Sequence, residues 1–442
     1  MSHAQRLCRF LYGALWQLAL PALLVRAWWR GRREPGYRRH LWERLGIYAE
    51  RSPSSVIWIH AVSVGEARAA APLIGALQRS YPDCALRVTC ATPAGRDTLR
   101  QILGGGAQVT YLPYDAPGPV RRFLSHCRPR LGILMETEIW PNLIAACHRR
   151  GIPLLLANAR MSKRSARRYA RTSLLTRGAI AALDAVCAQG RADARRLRVL
   201  GARAPGVTGN LKFDAQPDAR QLALGRALRA GLQGRRVLLF ASTREGEEAL
   251  LLDALGAAQA QVHGEAQAHV LVLIVPRHRQ RFDEVAALIA ARGLRLARRS
   301  QTEVPAADCE VFLGDTLGEM ALYYGLADVA VIGGSFRPLG GQNLIEACAA
   351  GVPVVTGPHM FNFSAATRDA LRAGAAIQAD TAQAALRTAC GLLMDTAALA
   401  RMAQCALAFS RRHGGATERH LEVCRHLLER AADDAAAAGL RV

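Results

Sequence analysis

VIWIHAVSVGEARAAAPLIGALQRS, residues 56–80, holds the reading on which the fold turns. Its first seven residues, Val56 to Val62, are an apolar run interrupted only by His60, too short for a helix and rich in β-branched and aromatic side chains, as in a strand buried on both faces. Ser63, Val64 and Gly65 make a turn, and Glu66 to Ser80 carries a helical pattern. Strand, tight turn and helix in that order is half of a parallel crossover unit, and its companions follow. Candidate strands recur at Ala85–Thr92, Ala107–Tyr114, Leu131–Thr137, Ile152–Ala159 and Ala185–Gln189, with helix-length stretches such as Asn142–Arg150 between most of them. After a polar stretch around Phe213–Arg220 the pattern restarts at Val237–Ser242, His269–Pro276, Glu310–Asp315, Asp328–Gly334 and Val352–Gly357. Apolar strands alternating with helices predict parallel sheets covered on both faces. Two such halves predict an α/β chain of two facing, doubly wound, Rossmann-like domains, with ligands at the carboxyl ends of the strands.

Outward from that frame, the 442 residues suffice for two or three domains. Predicted boundaries are 1–35 for an N-terminal anchor and its basic flank, 36–215 and 216–425 for the two domains, and 426–442 for a tail. The anchor is an apolar stretch from Phe10 to Val25, broken by Gln17 and Pro21 and flanked by Arg6, Arg9, Trp28, Trp29, Arg30, Arg32 and Arg33. At about 16 residues it suits a marginal span or a helix lying in the interface, since a full crossing needs roughly 20. A cleaved signal peptide fits poorly, because Trp and Arg follow where small residues belong. A buried core helix is the remaining alternative.

Lys plus Arg number 58 against 35 Asp plus Glu, a net charge of +23. The sign fits an anionic bilayer, phosphorylated substrates or nucleic acid, and equally an arginine-rich composition without functional meaning. No helix-turn-helix or aromatic-studded basic strand is visible, so nucleic acid is not an expected partner. The 11 cysteines include no CxxC pair, which argues against a zinc site and for reduced, buried thiols. The dinucleotide fingerprint G-x-G-x-x-G is missing, which disfavours a nicotinamide enzyme.

Several segments carry candidate chemistry. Glu66 opens a helix at a strand's carboxyl end, where it is either a working carboxylate or a helix cap. In METEIWPN, Glu136 and Glu138 leave an apolar strand together, so they either pair with arginines or work; two residues apart on a strand, they are expected to share a face. The basic stretch Asn158–Arg171 is a solvated helix face or a catcher of phosphorylated acceptor. Lys212 in GNLKFD either meets charge on a leaving phosphate or is a surface lysine. In the second half, Pro276, Arg277 and His278 follow a strand, LGEM (Leu317–Met320) enters a helix, and the glycine-rich GGSFRPLGGQ precedes Asn343–Glu346. Glycines before a helix start allow phosphate contacts through backbone N–H groups, and Glu346 suits ribose hydroxyls.

Taken together, SVGE, METEIWPN, NARMS, GNLKFD, PRH, GDTLGEM, GGS, NLIEA and GPHMFNF resemble the 3-deoxy-D-manno-octulosonic acid (Kdo) transferases of lipopolysaccharide assembly, over nearly the whole chain. The resemblance implies a GT-B glycosyltransferase fold, CMP-Kdo as donor, and a lipid A precursor, lipid IVA, as acceptor. It also implies a place at the cytoplasmic face of the inner membrane, in contact with its lipids, and no bound metal or cofactor. It makes Glu66 the general base, with Glu136 and Lys212 stabilising the transition state. Donor contacts fall on Pro276 and Arg277, on Leu317, Gly318 and Glu319, and on Asn343, Leu344, Ile345 and Glu346. Where the family often reads H-N-P-x-E, this chain has Gln342 to Glu346, which keeps the asparagine and the carboxylate only. A lipid A disaccharide synthase or a UDP-sugar epimerase is the alternative on the same fold.

Overall fold

The computed structural model describes residues 3–261 and 270–437. The chain divides into two compact units, Met1–Ala215 with Gly414–Val442, and Gln216–His413. Seven strands build the first: β1 (Val56–His60), β2 (Ala85–Cys90), β3 (Gln108–Tyr111), β4 (Pro129–Met135), β5 (Leu154–Ala159), β6 (Ala185–Ala188) and β7 (Gly206–Val207). They lie in the order β3-β2-β1-β4-β5-β6-β7, with parallel pairings throughout. The second unit repeats the plan with β8 (Arg236–Thr243), β9 (Val270–Pro276), β10 (Leu296–Arg298), β11 (Val311–Leu313), β12 (Val329–Ile332), β13 (Val354–Thr356) and β14 (Ala376–Gln378), ordered β10-β11-β9-β8-β12-β13-β14. All eleven predicted strands overlap these, ten with both ends within two residues and Ala107–Tyr114 running three residues past β3; the first residue of the one predicted from His269 lies outside the described residues.

Alternation along β1 shows why the sheet is covered twice. Ile57 and Ile59 pack with Leu73, Ile74 and Leu77 of the following helix Val64–Ser80, while Val56 and Trp58 pack with Phe123 and Leu124 on the opposite face. Each sheet also has a strand-order reversal near its centre, at β1/β4 and at β8/β12. Connections leave the sheet in opposite directions there, and the carboxyl-end crevice so opened is where such folds bind ligands.

The N-terminal helix runs from His3 to Arg30, longer than the predicted apolar run because the flanking Arg and Trp residues join it. Gly13, Leu20 and Ala27 are buried, seven residues apart and therefore on one face. That face rests on the first unit: Tyr12 donates to Asp115 Oδ2 at 3.0 Å, and Trp16 stacks on Tyr114. Asp115 also accepts the backbone N–H groups of Asn142 and Leu143 at 3.0 and 2.8 Å, and burial pushes its carboxyl up to about 7. Phe10, Leu11, Leu15, Leu18 and Val25 point to solvent, Leu18 with 80% of its surface exposed. The helix is long and apolar enough to cross a membrane. Its exposed apolar surface sets aside the buried core helix.

The C-terminal end departs from the predicted boundaries. The second unit stops at His413, and the helix Ala416–Ala437 returns to the first, where Leu421, Cys424, Leu427 and Leu428 enter the cluster around Ile57 and Ile59. His420 completes the attachment, its Nε2 accepting the Asn158 N–H at 2.9 Å. Residues 414–425 thus belong with the first unit, and Leu427 and Leu428, assigned to the tail, are core. Of the alanine-rich ADDAAAAG, residues 432–437 are helical and 438 and 439 lie outside the described residues.

Candidate active site

Four side chains converge at the strand-order reversal of the first sheet. β1 pairs with β4 in parallel, His60 opposite Leu134, so the loops leaving both strands emerge side by side. Ser63 caps the helix after β1, its Oγ accepting the Glu66 N–H at 3.4 Å. The Glu66 carboxylate accepts the Val62 N–H at 2.7 Å and stands 3.5 Å from Ser63 Oγ. Geometrically it is a cap. Electrostatically it is more than one: burial, then the negative charges of Glu136 and Glu138, push it up to about 8, against smaller downward pulls from the Val62 N–H and Lys212.

Glu136 and Glu138 do not share a face by strand alternation as expected. β4 ends at Met135, and Glu136 sits in the left-handed region at φ 54°, uncommon for a residue with a side chain. A turn, not the pleat, therefore delivers both carboxylates. Tyr169, from the basic helix Lys163–Arg171, donates to the Thr137 carbonyl at 3.2 Å and holds that turn. Lys212 Nζ lies 3.2 Å from Glu136 Oε1, each side chain about four-fifths buried. Asn158, also left-handed at φ 51°, positions the lysine turn by accepting the Leu211 N–H at 3.1 Å, while Asn210 accepts the Lys212 N–H at 3.0 Å. Lys212 is thus a paired, shielded cation, not a surface lysine.

In the second unit the predicted donor residues stand at carboxyl ends of strands. Arg277 follows Pro276 at the end of β9, its N–H bonded to the Thr243 carbonyl at 2.9 Å. After β11, Leu317 is exposed, Gly318 adopts φ 86°, and Glu319 is gripped by Arg299 at 3.0 Å and by the Thr316 hydroxyl. After β12, Asn343 caps the next helix by accepting the Ile345 N–H at 3.1 Å, and donates to Glu346 Oε1 at 2.9 Å. Leu344 and Ile345 are fully buried, so of this segment the flanking Asn343 and Glu346, both half-buried, are the groups within reach of solvent.

Glu247 escaped the sequence reading. Fully buried, its carboxylate accepts the N–H groups of Arg244, Gly334 and Phe336, tying the segment after β8 to the glycine-rich loop after β12. The acidic run in STREGEE (Ser242–Glu248), directly behind a buried strand, is the signal that could have found it. Glu247→Ala takes the acceptor from the buried Gly334 N–H and from the half-buried Arg244 and Phe336 N–H groups and should lower unfolding free energy by about 2 kcal/mol, measured by urea denaturation.

Residues 39–215 match the family described as 3-deoxy-D-manno-octulosonic-acid transferase (kdotransferase). A relative from Bordetella pertussis, named 3-deoxy-D-manno-octulosonic acid transferase, is 47% identical over 423 residues, covering 92% of this chain and 97% of its own. The chain belongs to the Kdo transferase family. A Haemophilus influenzae Kdo transferase is 35% identical, over 96% of this chain and 99% of its own. Among solved structures, a glycosyltransferase from Rickettsia africae (13% identity, 86% of this chain and 99% of that one, TM-score 0.56) shares the fold. So does a UDP-N-acetylglucosamine 2-epimerase from Listeria monocytogenes (15%, 85% and 97%, TM-score 0.57). At such identities the likeness speaks for the GT-B architecture alone, and the epimerase alternative gives way to the family shown by sequence. This Kdo transferase is accordingly a glycosyltransferase, with Glu66, Glu136, Glu138 and Lys212 gathered at one end of its first sheet.

Proposed function

We propose that this Kdo transferase moves Kdo from CMP-Kdo to the lipid A precursor lipid IVA, without a metal, with Glu66 as general base. The observation that carries the reading is a shielded carboxyl at the crevice of the first sheet, raised to about 8 by burial and two like-charged neighbours. A base is most effective when its proton affinity lies near the working pH. An acceptor hydroxyl gives its proton to Glu66 as its oxygen attacks the anomeric carbon of Kdo. The bond from that carbon to the CMP phosphate breaks, and the electron pair leaves with CMP. Positive charge developing on the sugar favours Glu136, while Lys212 favours the anionic groups of the donor.

In the second unit, Arg277, the turn Leu317–Glu319 and the helix start at Asn343 supply the donor contacts. Arg277 is a planar phosphate donor and Glu346 a partner for ribose hydroxyls. The exposed apolar face of the helix His3–Arg30, bordered by Trp28, Trp29 and Arg30, suits an inner-membrane surface on the cytoplasmic side, where a lipid-linked acceptor is met.

Incubation of the purified protein with CMP-Kdo and lipid IVA should yield a product heavier by Kdo, read by mass spectrometry. No mass gain with this pair rejects the reading. Since lysine and arginine supply the positive charge, EDTA should leave the rate unchanged, and an EDTA-sensitive rate refutes the metal-free mechanism.

A further inference from the structure

The groove beside the N-terminal helix has no part in the transfer chemistry, and its charges are all of one sign. It runs between the helix His3–Arg30 and the helices Pro117–Cys127 and Pro141–Arg149, with a volume of about 950 Å³. Arg6 and Arg9, three apart and so on one side of their helix, line one wall, and Arg121, Arg149 and Arg150 line the other. Among the described residues no Asp or Glu lines it. The like charges of Arg6 and Arg149 both bear on Arg9, so guanidinium groups from two separate elements crowd one another. Five cations in a groove that contributes no carboxylate repel, and an anion between them relieves that repulsion.

Apart from Gln17 and Asn142, the rest of the lining is apolar or small. Gly13 and Ala14 on the N-terminal helix and Ala146 opposite carry at most a methyl group, which leaves the groove open. Phe10 joins the groove to the outer face of the helix: it lines the one and is 70% exposed beside Leu7, Leu11 and Leu15 on the other. An occupant therefore meets arginines at its head and an apolar face at its tail.

We propose that this groove is a binding site for one anionic glycerophospholipid, its phosphodiester held by the arginines and an acyl chain laid along Phe10 and Ala14. Guanidinium forks match phosphate oxygens in pairs, which a diffuse basic surface does not do. Cations on an interfacial helix also meet the headgroup layer, where anionic lipids reside. None of Glu66, Glu136, Glu138 and Lys212 lines the groove. The helix Pro141–Arg149 leads away from the turn bearing Glu136 and Glu138, and its nine residues carry Arg149 about 12 Å along the axis. An acceptor must reach Glu66, so the occupant is a lipid of the bilayer that ties the N-terminal helix to the first unit and to the membrane at once. The site rests on the membrane reading of that helix and is independent of the base assignment.

Native mass spectrometry of the purified protein in neutral detergent takes the bilayer's own surface potential out of the measurement. Titration with phosphatidylglycerol should give a one-to-one adduct. Phosphatidylcholine, whose choline cation meets the arginines with like charge, should give about tenfold less. Arg121→Ser with Arg149→Ser, at two exposed positions where folding is not at risk, should lower the phosphatidylglycerol adduct about tenfold. Arg195→Ser with Arg198→Ser, an equal loss of charge at exposed positions of the helix Arg191–Val199, should leave it unchanged. Ala14→Trp keeps every charge and fills the groove, so it should remove the adduct. Glycerol phosphate in excess, a head without chains, should not displace the lipid. An adduct that falls equally with the control pair, ignores headgroup charge or survives Ala14→Trp overturns the proposal. So does displacement by glycerol phosphate, which marks a free-anion site. Flotation separates this site from the membrane reading. Protein that rises with phosphatidylglycerol vesicles yet carries no adduct defeats the site alone, whereas protein with the adduct that does not float defeats the membrane reading.

Discussion

Glu66→Gln should lower kcat for Kdo transfer about a thousandfold, the middle of the range for losing a general base. Glutamine keeps the length and can still accept the Val62 N–H through its amide oxygen, so the cap at the start of the helix Val64–Ser80 survives and donor KM should change little. The pH dependence gives an independent check. With Glu66 raised to about 8, most molecules carry the proton at neutral pH, and the wild-type rate should climb with pH through a limb near that value. The variant's residual rate should show no such limb. Stability should move oppositely. A carboxyl whose folded value stands above its ordinary 4.5 favours folding fully below 4.5, and that contribution is lost as pH rises through 8. Gln has no proton to lose, so at pH 9 the variant should melt higher than wild type. A variant transferring Kdo at near wild-type rate rejects the mechanism.

Lys212→Met should lower kcat by about a hundredfold, as expected when a preorganised charge in a shielded site is removed. Methionine keeps most of the length and leaves Glu136 without the ammonium 3.2 Å away. The lysine's charge is also a downward pull on Glu66, so its loss should push the ascending limb of the pH profile further toward alkali. Lys212→Arg should restore only part of the rate, because a planar fork does not replace a point charge on a flexible stem. A Met variant with wild-type kcat and an unmoved limb shows that the lysine only shapes its turn.

The sequence made some of this legible and hid the rest for definite reasons. Strands such as β1, β4 and β8 are long apolar runs bounded by turns and are readable without a neighbour. β7, β10 and β14 are two or three residues long and partly exposed, too short to show a period or an apolar run. Glu66, Glu136 and Lys212 stood out as charges at apolar boundaries. His60 did not, because it lies inside the apolar run VIWIHAV and only the turn after β4 brings Glu138 to within 3.9 Å of its ring. Glu247 was passed over because its three partners lie on its own turn and on a loop nearly 90 residues away.

Sequence by itself determined the alternation of strand and helix, the two doubly wound halves, the apolar N-terminal segment and the family, since each rests on local periodicity or short ordered motifs. Tertiary structure decided which loops meet. The reversal at β1/β4 sets residues 66 and 136 beside each other, a left-handed turn at Glu136 replaces strand alternation in aiming its carboxylate, and the helix Ala416–Ala437 returns to the first unit. Those outcomes depend on burial shared by segments far apart in the chain, where only the closed core decides which surfaces leave water and which charges lie side by side.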